Sequence, residues 1–253
     1  MSLQGRSALV AGAGGGIGSA VAKGLAAEGA EIVCVDQDKS SAEDAARGVA
    51  ELGRSALALA GDLSRGDQVD QIVDEAHSVL GKIDILVNCV GIGVAEFVAD
   101  HDEETWDRVM AVNLKSAFLL CRRVLPRMTE TGSGRIINIT SRSAYQSSAG
   151  TAAYAASKAG LLAFSRVLAA EAGSSGITVN TVAPGTTLTP MTDDYYGGPE
   201  ERKVHAERTG VVLEPFRFAH ASEIAAAVVY LSGPNAEHVT GATLHVNGGS
   251  YMP

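Results

Sequence analysis

The stretch ALVAGAGGGIGSAVAKGLAAEGAEIVCVD, residues 8–36, joins an apolar run, a glycine-rich turn, a helical pattern and a second apolar run that ends in an acid. Gly12, Gly16 and Gly18 stand in a G-x-x-x-G-x-G spacing where the first run meets the helical pattern. Because glycine lets a chain turn sharply and approach other groups closely, this order predicts a strand, a tight turn, a helix and a second strand. The stretch therefore indicates an α/β fold.

The same alternation continues along the rest of the chain. Short apolar runs recur at SALALAGD, IDILVN, RIINIT, ITVNTVAPG and TLHVNGG, and helical patterns separate them. Several runs are apolar throughout, as expected of strands that helices cover on both faces. We therefore expect a single α/β domain over residues 1–253, with a doubly wound parallel sheet of about seven strands.

Residues 187–218 depart from this rhythm. The segment TDDYYGGPEERKVHAER within them is rich in charge, glycine and tyrosine. Because ligands of doubly wound sheets bind outside the carboxyl ends of the strands, we expect this segment to form a lid over that edge. Its candidate substrate contacts are Tyr195, Tyr196, His205 and Arg208.

The composition narrows the classes of partner. The chain has 253 residues, 46% of them hydrophobic, and a net charge of −9. The apolar runs are too short for a membrane span, and an acidic balance without a basic run argues against nucleic acid and anionic membranes as partners. The start MSLQGRSALV leads straight into a strand pattern without a secretory signal, so we expect a cytoplasmic protein.

The cysteines and histidines do not form a metal-binding pattern. Cys34, Cys89 and Cys121 lie in apolar contexts with no C-x-x-C pair, which favours buried thiols over a disulfide or a metal site. The six histidines are scattered along the chain. We therefore expect no metal site.

The glycine turn has two interpretations. Free amides at the start of a helix suit a pyrophosphate, but glycines also allow a helix to pack tightly on a strand. Asp36, 24 residues after Gly12 at the end of the second strand, favours a nucleotide site. Its carboxylate can accept hydrogen bonds from both hydroxyls of an adenosine ribose and would repel an added phosphate. Lys39 is the nearest basic residue, so no basic side chain closer to Asp36 could bind that phosphate. We therefore predict NAD as the cofactor, with NADP as the alternative.

Two more strand ends carry candidate cofactor residues. Asp62, in LAGDL, is placed to reach the adenine, and NCVG (88–91) ends the fourth strand beside the expected path of the cofactor. Taken alone, an aspartate in front of a helix is also a common helix cap.

YAASK (154–158) places Tyr154 and Lys158 four residues apart at the start of a helical pattern. By itself this spacing is compatible with an ordinary helix start. Ser141 ends the strand RIINITS thirteen residues earlier, and the i,i+4 spacing puts both side chains on one helix face. The combination favours chemistry at the carboxyl edge of the sheet.

In this order the motifs resemble those of the short-chain dehydrogenase/reductase family in its ordinary single-domain form. The resemblance covers nearly the whole chain: the glycine turn, Asp36, Asp62, NCVG, Asn113 in VMAVN, Ser141, YAASK, Pro184-Gly185 with Thr189, and the closing GATLHVNGG. It implies a Rossmann-type sheet that binds a nicotinamide cofactor, and a homotetramer.

The resemblance also implies residue roles. Tyr154 would be the general acid/base, Lys158 would lower the pKa of that phenol and hold the nicotinamide ribose, Ser141 would polarise the substrate oxygen, and Asn113 would anchor a water that links Lys158 to solvent. The residues expected to bind the cofactor are Gly12, Gly16, Ile17, Gly18, Asp36, Asp62, Leu63, Asn88, Gly91, Tyr154, Lys158, Pro184, Gly185, Thr187 and Thr189.

Three places depart from the family pattern. Ala11 stands where threonine is usual, Cys89-Val90 replace the usual Asn-Ala, and Arg142 follows Ser141. Arg142 is compatible with an anionic substrate group or with a surface ion pair.

The expected activity is hydride transfer between NAD and a small-molecule secondary alcohol or ketone. The nearest alternative is a reductase of 3-oxoacyl thioesters, a role on this scaffold that is usually tied to NADPH. A protein that binds NAD(H) without catalysis is a further alternative, but such proteins can lose catalytic residues that this chain retains.

Overall fold

The computed structural model describes residues 2–192, 198–208 and 217–253, without the side chains at positions 199 and 208. The strands are β1 (Ser7–Ala11), β2 (Glu31–Asp36), β3 (Ala56–Ala60), β4 (Ile85–Asn88), β5 (Gly134–Ile139), β6 (Ile177–Pro184), β7 (Thr187–Leu188), β8 (Ala219–His220) and β9 (Thr243–Val246). The helices are α1 (Gly16–Ala27), α2 (Lys39–Ala50), α3 (Gly66–Leu80), α4 (Glu103–Met110), α5 (Ser116–Thr131), α6 (Ala152–Ala172), α7 (Pro199–Arg208) and α8 (Ala221–Ser232).

Seven strands form one parallel sheet in the order β3-β2-β1-β4-β5-β6-β9. The chain builds outward from β1 to β3, then crosses back through α3 to place β4 on the other side of β1. Neighbouring connections therefore diverge between β1 and β4, which is where doubly wound sheets bind ligands. The predicted fold class and strand number are confirmed.

Hydrophobic cores lie on both faces of the sheet. On one face, Leu9 and Leu86 pack with Leu120 of α5, and on the other, Val10 packs with Leu25 of α1. Every residue of β1, β4, β5 and β6 is buried, which explains why these strands are mostly apolar. The asparagines within them, Asn88, Asn138 and Asn180, are buried with hydrogen-bond partners. No helix among the described residues is long and apolar enough to cross a membrane.

The expected lid segment is described only in part. The short strands β7 and β8 pair in parallel, and α7 lies between them in sequence. The ring of His205 packs edge-on against Phe218, with centroids 5.8 Å apart. Tyr195 and Tyr196 lie outside the described residues, as does the side chain of Arg208.

Helix α4 and the β7–β8 pair are elements that the sequence patterns did not predict. Asp102 caps α4 by accepting a hydrogen bond of 2.7 Å from the Thr105 amide, and Glu103 and Glu104 complement the positive end of the helix. This capping pattern, DEET, was the available signal. Val109 is the one buried residue recorded in α4, so the apolar face of this helix is narrow. The hydrophobic periodicity of the sequence is therefore too weak to predict the helix.

Candidate active site

The glycine turn brings β1, α1 and β4 into direct contact. Gly12 has a φ of +76°, and a β-carbon on it would lie 3.0 Å from the Cys89 carbonyl carbon. A β-carbon on Gly18 would lie only 2.0 Å from the Gly12 carbonyl oxygen. Gly15 precedes α1 without a side-chain cap within the described part of the chain. The glycines thus serve tight packing and also leave the first amides of α1 without a capping side chain, as a phosphate site requires.

A cleft with a volume of about 330 Å³ opens in front of this turn. Predicted cofactor residues that line it are Gly12, Gly16, Ile17, Gly18, Asp36, Asp62, Leu63, Gly91 and Thr189. Lining residues that the sequence did not single out as cofactor contacts include Gly14, Ser64, Ile92, Val112, Ser116 and Met191. The cleft lies at the switch point between β1 and β4, so the structure brings most of the predicted cofactor residues to one site.

Asp36 lies at one end of the cleft with both carboxylate oxygens oriented by the backbone. The Gly14 amide donates to Oδ2 (3.0 Å), and the Asp38 amide donates to Oδ1 (3.2 Å). Each oxygen keeps capacity for another hydrogen bond, which suits a pair of ribose hydroxyls. The side chain of Lys39 is exposed and lies 3.7 Å from Glu43.

Asp62 serves its own loop as well as the cleft. Its Oδ1 accepts hydrogen bonds from the amide and the hydroxyl of Ser64, at 2.9 and 2.7 Å, in front of α3. These bonds close a turn within the loop, whereas α3 itself begins after Arg65 with no side-chain cap among the described residues, so Asp62 is not the helix cap. The residue lines the cleft beside Leu63.

Asn88 ends β4 directly before Cys89, which lines the cleft. The side chain of Asn88 is buried in the core, where Nδ2 donates to Asn138 Oδ1 (2.6 Å), and it is absent from the residues that line the cleft. A residue at the last position of a strand points to one face of the sheet, and here that face is packed under α5 and α6. The structure thus gives the Asn88 side chain a role in joining β4 to β5.

The loop after β6 returns to the glycine turn. Gly185 packs against Asn247, and the Thr187 hydroxyl donates to the Gly185 carbonyl (3.1 Å), so Pro184, Gly185 and Thr187 shape the loop without lining the cleft. Thr189 does line it. A β-carbon on Gly16 would lie 2.8 Å from Thr189 Cγ2, so the absence of a side chain at Gly16 lets the loop approach.

Tyr154 and Lys158 project from the first turns of α6, on the side of the cleft formed by the loop after β4. Neither side chain lines the cleft itself, but Lys158 lies behind Gly91, which does. The Tyr154 ring is half-buried, with its centroid 5.9 Å from Lys158 Nζ. Burial raises the pKa of the Tyr154 phenol, and its hydrogen bond with the Ser141 side chain acts in the opposite direction. The burial effect is the larger of the two, and the lowering of the Tyr154 pKa by Lys158 that the sequence analysis expects stays a prediction.

Lys158 is buried with two partners. Its Nζ donates to the carbonyl oxygens of Ile139 (3.0 Å) and Val90 (3.2 Å), which end β5 and follow β4. Burial lowers the pKa of Lys158 to about 8, and the nearby Cys89 acts in the opposite direction. An ammonium has three protons, so one remains for another acceptor. A β-carbon on Gly91 would lie 3.1 Å from Nζ, which places the ammonium at the cleft wall.

Asn113 lies in a π-helical turn, Ala111–Lys115, between α4 and α5. Such a turn inserts an extra residue into a helix and is frequent at functional sites. The Asn113 amide bonds both backbone groups of Ile92, accepting from its N–H (2.8 Å) and donating to its carbonyl (3.0 Å). The structure therefore places Asn113 next to the loop that carries Gly91.

The three cysteines and Arg142 are further residues that the sequence analysis discussed. Cys34 and Cys121 are buried thiols, whereas Cys89 lines the cleft, and burial raises the pKa of each to about 12. Arg142 begins a short 3-10 turn directly after Ser141. Across the ranges that the structure describes, no three His, Cys, Asp or Glu side chains are grouped to bind a metal.

A glycine turn at the switch point of a parallel sheet, with a carboxylate at one end and a Ser-Tyr-Lys-Asn group at the other, defines a class: Rossmann-fold oxidoreductases that use a nicotinamide dinucleotide. A family model described as enoyl-(acyl carrier protein) reductase matches residues 12–251. The chain belongs to the short-chain dehydrogenase/reductase family, and it is an oxidoreductase.

The relatives carry names that refer to different substrates. The 3-oxoacyl-(acyl-carrier-protein) reductase FabG of Vibrio cholerae is 38% identical over 252 residues, covering 100% of both chains. The D-threitol dehydrogenase of Mycolicibacterium smegmatis is 37% identical and covers 98% of this chain and 93% of its own. A solved structure from Agrobacterium tumefaciens, assigned as a gluconate dehydrogenase, has a TM-score of 0.92 at 32% identity, covering 98% of this chain and 97% of its own.

Proposed function

We propose that the protein is an NAD-dependent dehydrogenase that interconverts a secondary alcohol and a ketone, with Tyr154 as the general acid/base. The observation that carries the proposal is that Lys158 Nζ and Asn113 Oδ1 lie behind Gly91, which lines the same cleft as Asp36. Ser141 hydrogen-bonds Tyr154, one helical turn before Lys158. The residues that line this cleft include ones at or directly after the carboxyl ends of β1, β2, β3 and β4.

The residues present fit a dinucleotide. The uncapped start of α1 and the glycines in front of it would hold the pyrophosphate, Asp36 the adenosine ribose, and the third N–H of Lys158 the nicotinamide ribose. The side chains that glycine omits at positions 14 and 16 would meet Asp36 and Thr189, so the cradle depends on these glycines. When bound, NAD supplies or accepts the hydride.

The protein's own contribution is proton transfer and orientation. In the oxidation direction the Tyr154 phenolate takes the hydroxyl proton of the alcohol, and in reduction the phenol returns a proton to the ketone oxygen. Ser141 hydrogen-bonds that same oxygen and so holds the substrate against the phenol. Lys158 favours the phenolate by its charge, and Asn113 connects the lysine region to the Ile92 loop.

A spectrophotometric panel tests the activity. We expect NADH formation or consumption with at least one substrate among tetritols, D-gluconate, cyclic diols, steroids and acetoacetyl thioesters. The polyols are included because two relatives carry polyol or sugar-acid names. A protein that binds NAD but turns over nothing on this panel would favour the non-catalytic alternative.

The 3-oxoacyl thioester reductase remains the second candidate because several relatives of full-length coverage bear that name. Asp36 is the observation against its usual cofactor NADPH, since a carboxylate with both oxygens oriented would face the added phosphate. Higher turnover of acetoacetyl thioesters than of every alcohol in the panel would favour this candidate.

We expect kcat/KM to be at least about tenfold higher with NAD than with NADP, because the Asp36 carboxylate repels the 2′-phosphate. Asp36→Asn should narrow this preference, because it removes the charge and keeps one of the two acceptor oxygens that the backbone amides of Gly14 and Asp38 bond. Asp38→Asn is the matched control, because Asp38 caps α2 through Ser41 and does not line the cleft. A preference for NADP in the parent enzyme would overturn the proposed cofactor.

We further propose a homotetramer in the cytoplasm. Support comes from exposed aromatic and aliphatic side chains on α5 and α6, with Phe118 43% and Val167 57% exposed, and from the open edge at β9. Free thiols at all three cysteines suit a reducing compartment. Light scattering should give four times the chain mass of 26.0 kDa. Phe118→Glu should lower that mass and Leu52→Glu, another exposed apolar site, should not; a monomeric parent would contradict the proposal.

The lid over residues 187–218 stays a proposal as well. Its support is that Thr189, Pro190 and Met191, at the start of the segment, already line the cleft.

A further inference from the structure

Ser157 lies between Tyr154 and Lys158 in YAASK and is completely buried. Its hydroxyl uses both hydrogen-bonding functions. It donates to the carbonyl oxygen of Tyr154 (2.7 Å) and accepts from Asn113 Nδ2 (3.0 Å). One side chain therefore joins the helical turn that carries the tyrosine to the π-helical turn that carries the asparagine.

These contacts hold the Asn113 amide in one orientation. Nδ2 donates to Ser157 and to the Ile92 carbonyl, while Oδ1 accepts from the Ile92 amide. Rotating the amide by 180° would set its NH₂ group against the Ile92 N–H, which is also a donor. A β-carbon on Gly91 would lie 3.6 Å from Oδ1 and 3.1 Å from Lys158 Nζ. The amide oxygen and the ammonium thus approach the same point of the cleft wall.

We infer that Ser157 is a positioning residue for proton transfer: it holds the Asn113 carbonyl oxygen beside Lys158 while fixing the turn that bears Tyr154. The inference rests on the proposed function, since it assigns Ser157 to the proton path of that reaction. Ser157 is completely buried and both of its hydrogen bonds go to Tyr154 and Asn113, so its removal should affect proton movement more than cofactor binding.

Helix α6 offers a matched control in Ser165. This residue is also buried, its hydroxyl donates to a carbonyl of its own helix, that of Leu161 (2.6 Å), and it accepts from an asparagine, Asn138 Nδ2 (2.8 Å). Ser165→Ala therefore removes the same pair of hydrogen bonds from the same helix, away from Tyr154 and Lys158. Any general cost of losing a buried hydroxyl should appear in both variants.

The first measurement needs no substrate and uses the protein without cofactor. Side-chain amides of asparagine are labelled with ¹⁵N, and the Asn113 signal is identified by its loss in Asn113→Ala. We expect Ser157→Ala to speed hydrogen exchange of the Asn113 side chain by about tenfold or more, because one of its protons loses its acceptor. Ser165→Ala should leave this signal unchanged and alter that of Asn138.

The second measurement is steady-state kinetics of the holoenzyme with the best alcohol of the panel. Ser157→Ala should lower kcat by about tenfold to a hundredfold and raise the solvent deuterium isotope effect, with KM for NAD within about twofold of the parent. Ser157→Thr, which keeps the hydroxyl, should restore both kcat and Asn113 protection.

The outcomes separate the inference from the function on which it rests. A parent enzyme with no turnover overturns the proposed function. An active parent overturns the inference if Ser157→Ala keeps the parental kcat and isotope effect, or if both alanine variants lose kcat equally without a change in isotope effect. Unchanged Asn113 exchange in Ser157→Ala overturns the inference even without a substrate.

Discussion

Tyr154→Phe is expected to lower kcat by about 10²- to 10⁴-fold, the contribution usual for a positioned general acid/base. Phenylalanine keeps the ring that packs 5.9 Å from Lys158 Nζ and removes only the hydroxyl that meets Ser141. The Kd for NAD, measured by fluorescence titration or calorimetry, should therefore remain close to that of the parent. Turnover of Tyr154→Phe at the parental rate would remove the assigned role.

Tyr145→Phe provides the control for a lost phenol near the same strand end. Tyr145 follows the 3-10 turn after Ser141, donates its hydroxyl proton to Thr243 (2.9 Å) and stacks on Tyr251 with centroids 5.0 Å apart. This variant loses a structural hydrogen bond, so its stability should fall slightly while kcat stays within about an order of magnitude of the parent. A large loss of kcat in both variants would indicate that structure, and not proton transfer, is affected.

The pH dependence of oxidation follows from the same phenol. Burial raises the pKa of Tyr154, so the phenolate that oxidation requires is scarce at neutral pH and increases as the pH rises. Lys158, with a pKa of about 8, loses its charge over the alkaline range and then favours the phenolate less. We therefore expect kcat for alcohol oxidation in the parent to rise from pH 6 toward pH 8 and then to level off. The residual rate of Tyr154→Phe should lack this rise.

The sequence predicts the sheet and the cofactor end of the site well because both depend on local rules. Strands buried on both faces are mostly apolar, and β1, β4, β5 and β6 are buried at every position. A tight turn between β1 and α1 requires glycine, and Gly12 and Gly18 have neither the space nor, at Gly12, the backbone angle for another residue. The i,i+4 rule on a helix likewise places Tyr154 and Lys158 together.

What the sequence cannot predict are contacts between distant segments whose side-chain direction is decided by packing. Asn88 ends a strand next to the cleft, but its amide turns into the core to bond Asn138. Ser157 reads as a small helical residue, and only the π-helical turn across from it supplies Asn113 as a partner. The family resemblance implies roles for Tyr154 and Lys158 in YAASK, but no role was drawn from it for Ser157 in the same motif.

The catalytic end is assembled from segments far apart in the chain, and their common support is the sheet. Lys158 binds the carbonyl oxygens at the ends of β4 and β5, so the ammonium is fixed to the same edge that carries Ser141 and Gly91. A buried amine with two carbonyl partners keeps little freedom of position. Tyr154 lies one turn earlier on the same helix, so the backbone groups that hold Lys158 also help to position Tyr154. A short motif can therefore predict the position of both side chains.

Gly18→Ala is expected to have the largest effect on folding and cofactor binding together. The added β-carbon would lie 2.0 Å from the Gly12 carbonyl oxygen and 2.9 Å from the Ala13 α-carbon, and both are backbone atoms that cannot rotate away. Helix α1 must then move off β1, and with it the first-turn amides that would hold the pyrophosphate. Overpacking of this kind costs about 1–3 kcal/mol in unfolding free energy or more, which corresponds to a drop in Tm of roughly 2–10 °C for a domain of this size.

Gly173→Ala separates this steric effect from the general properties of alanine. A β-carbon on Gly173, which begins the 3-10 turn after α6, would meet no atom within 4 Å, and its backbone angle is not among the positive ones. Its Tm, from thermal denaturation by circular dichroism, should match or exceed that of the parent. The Kd for NAD should rise at least about tenfold in Gly18→Ala because the amides are displaced, and stay unchanged in Gly173→Ala. If Gly18→Ala bound NAD as tightly as the parent, α1 could not be the element that positions the pyrophosphate.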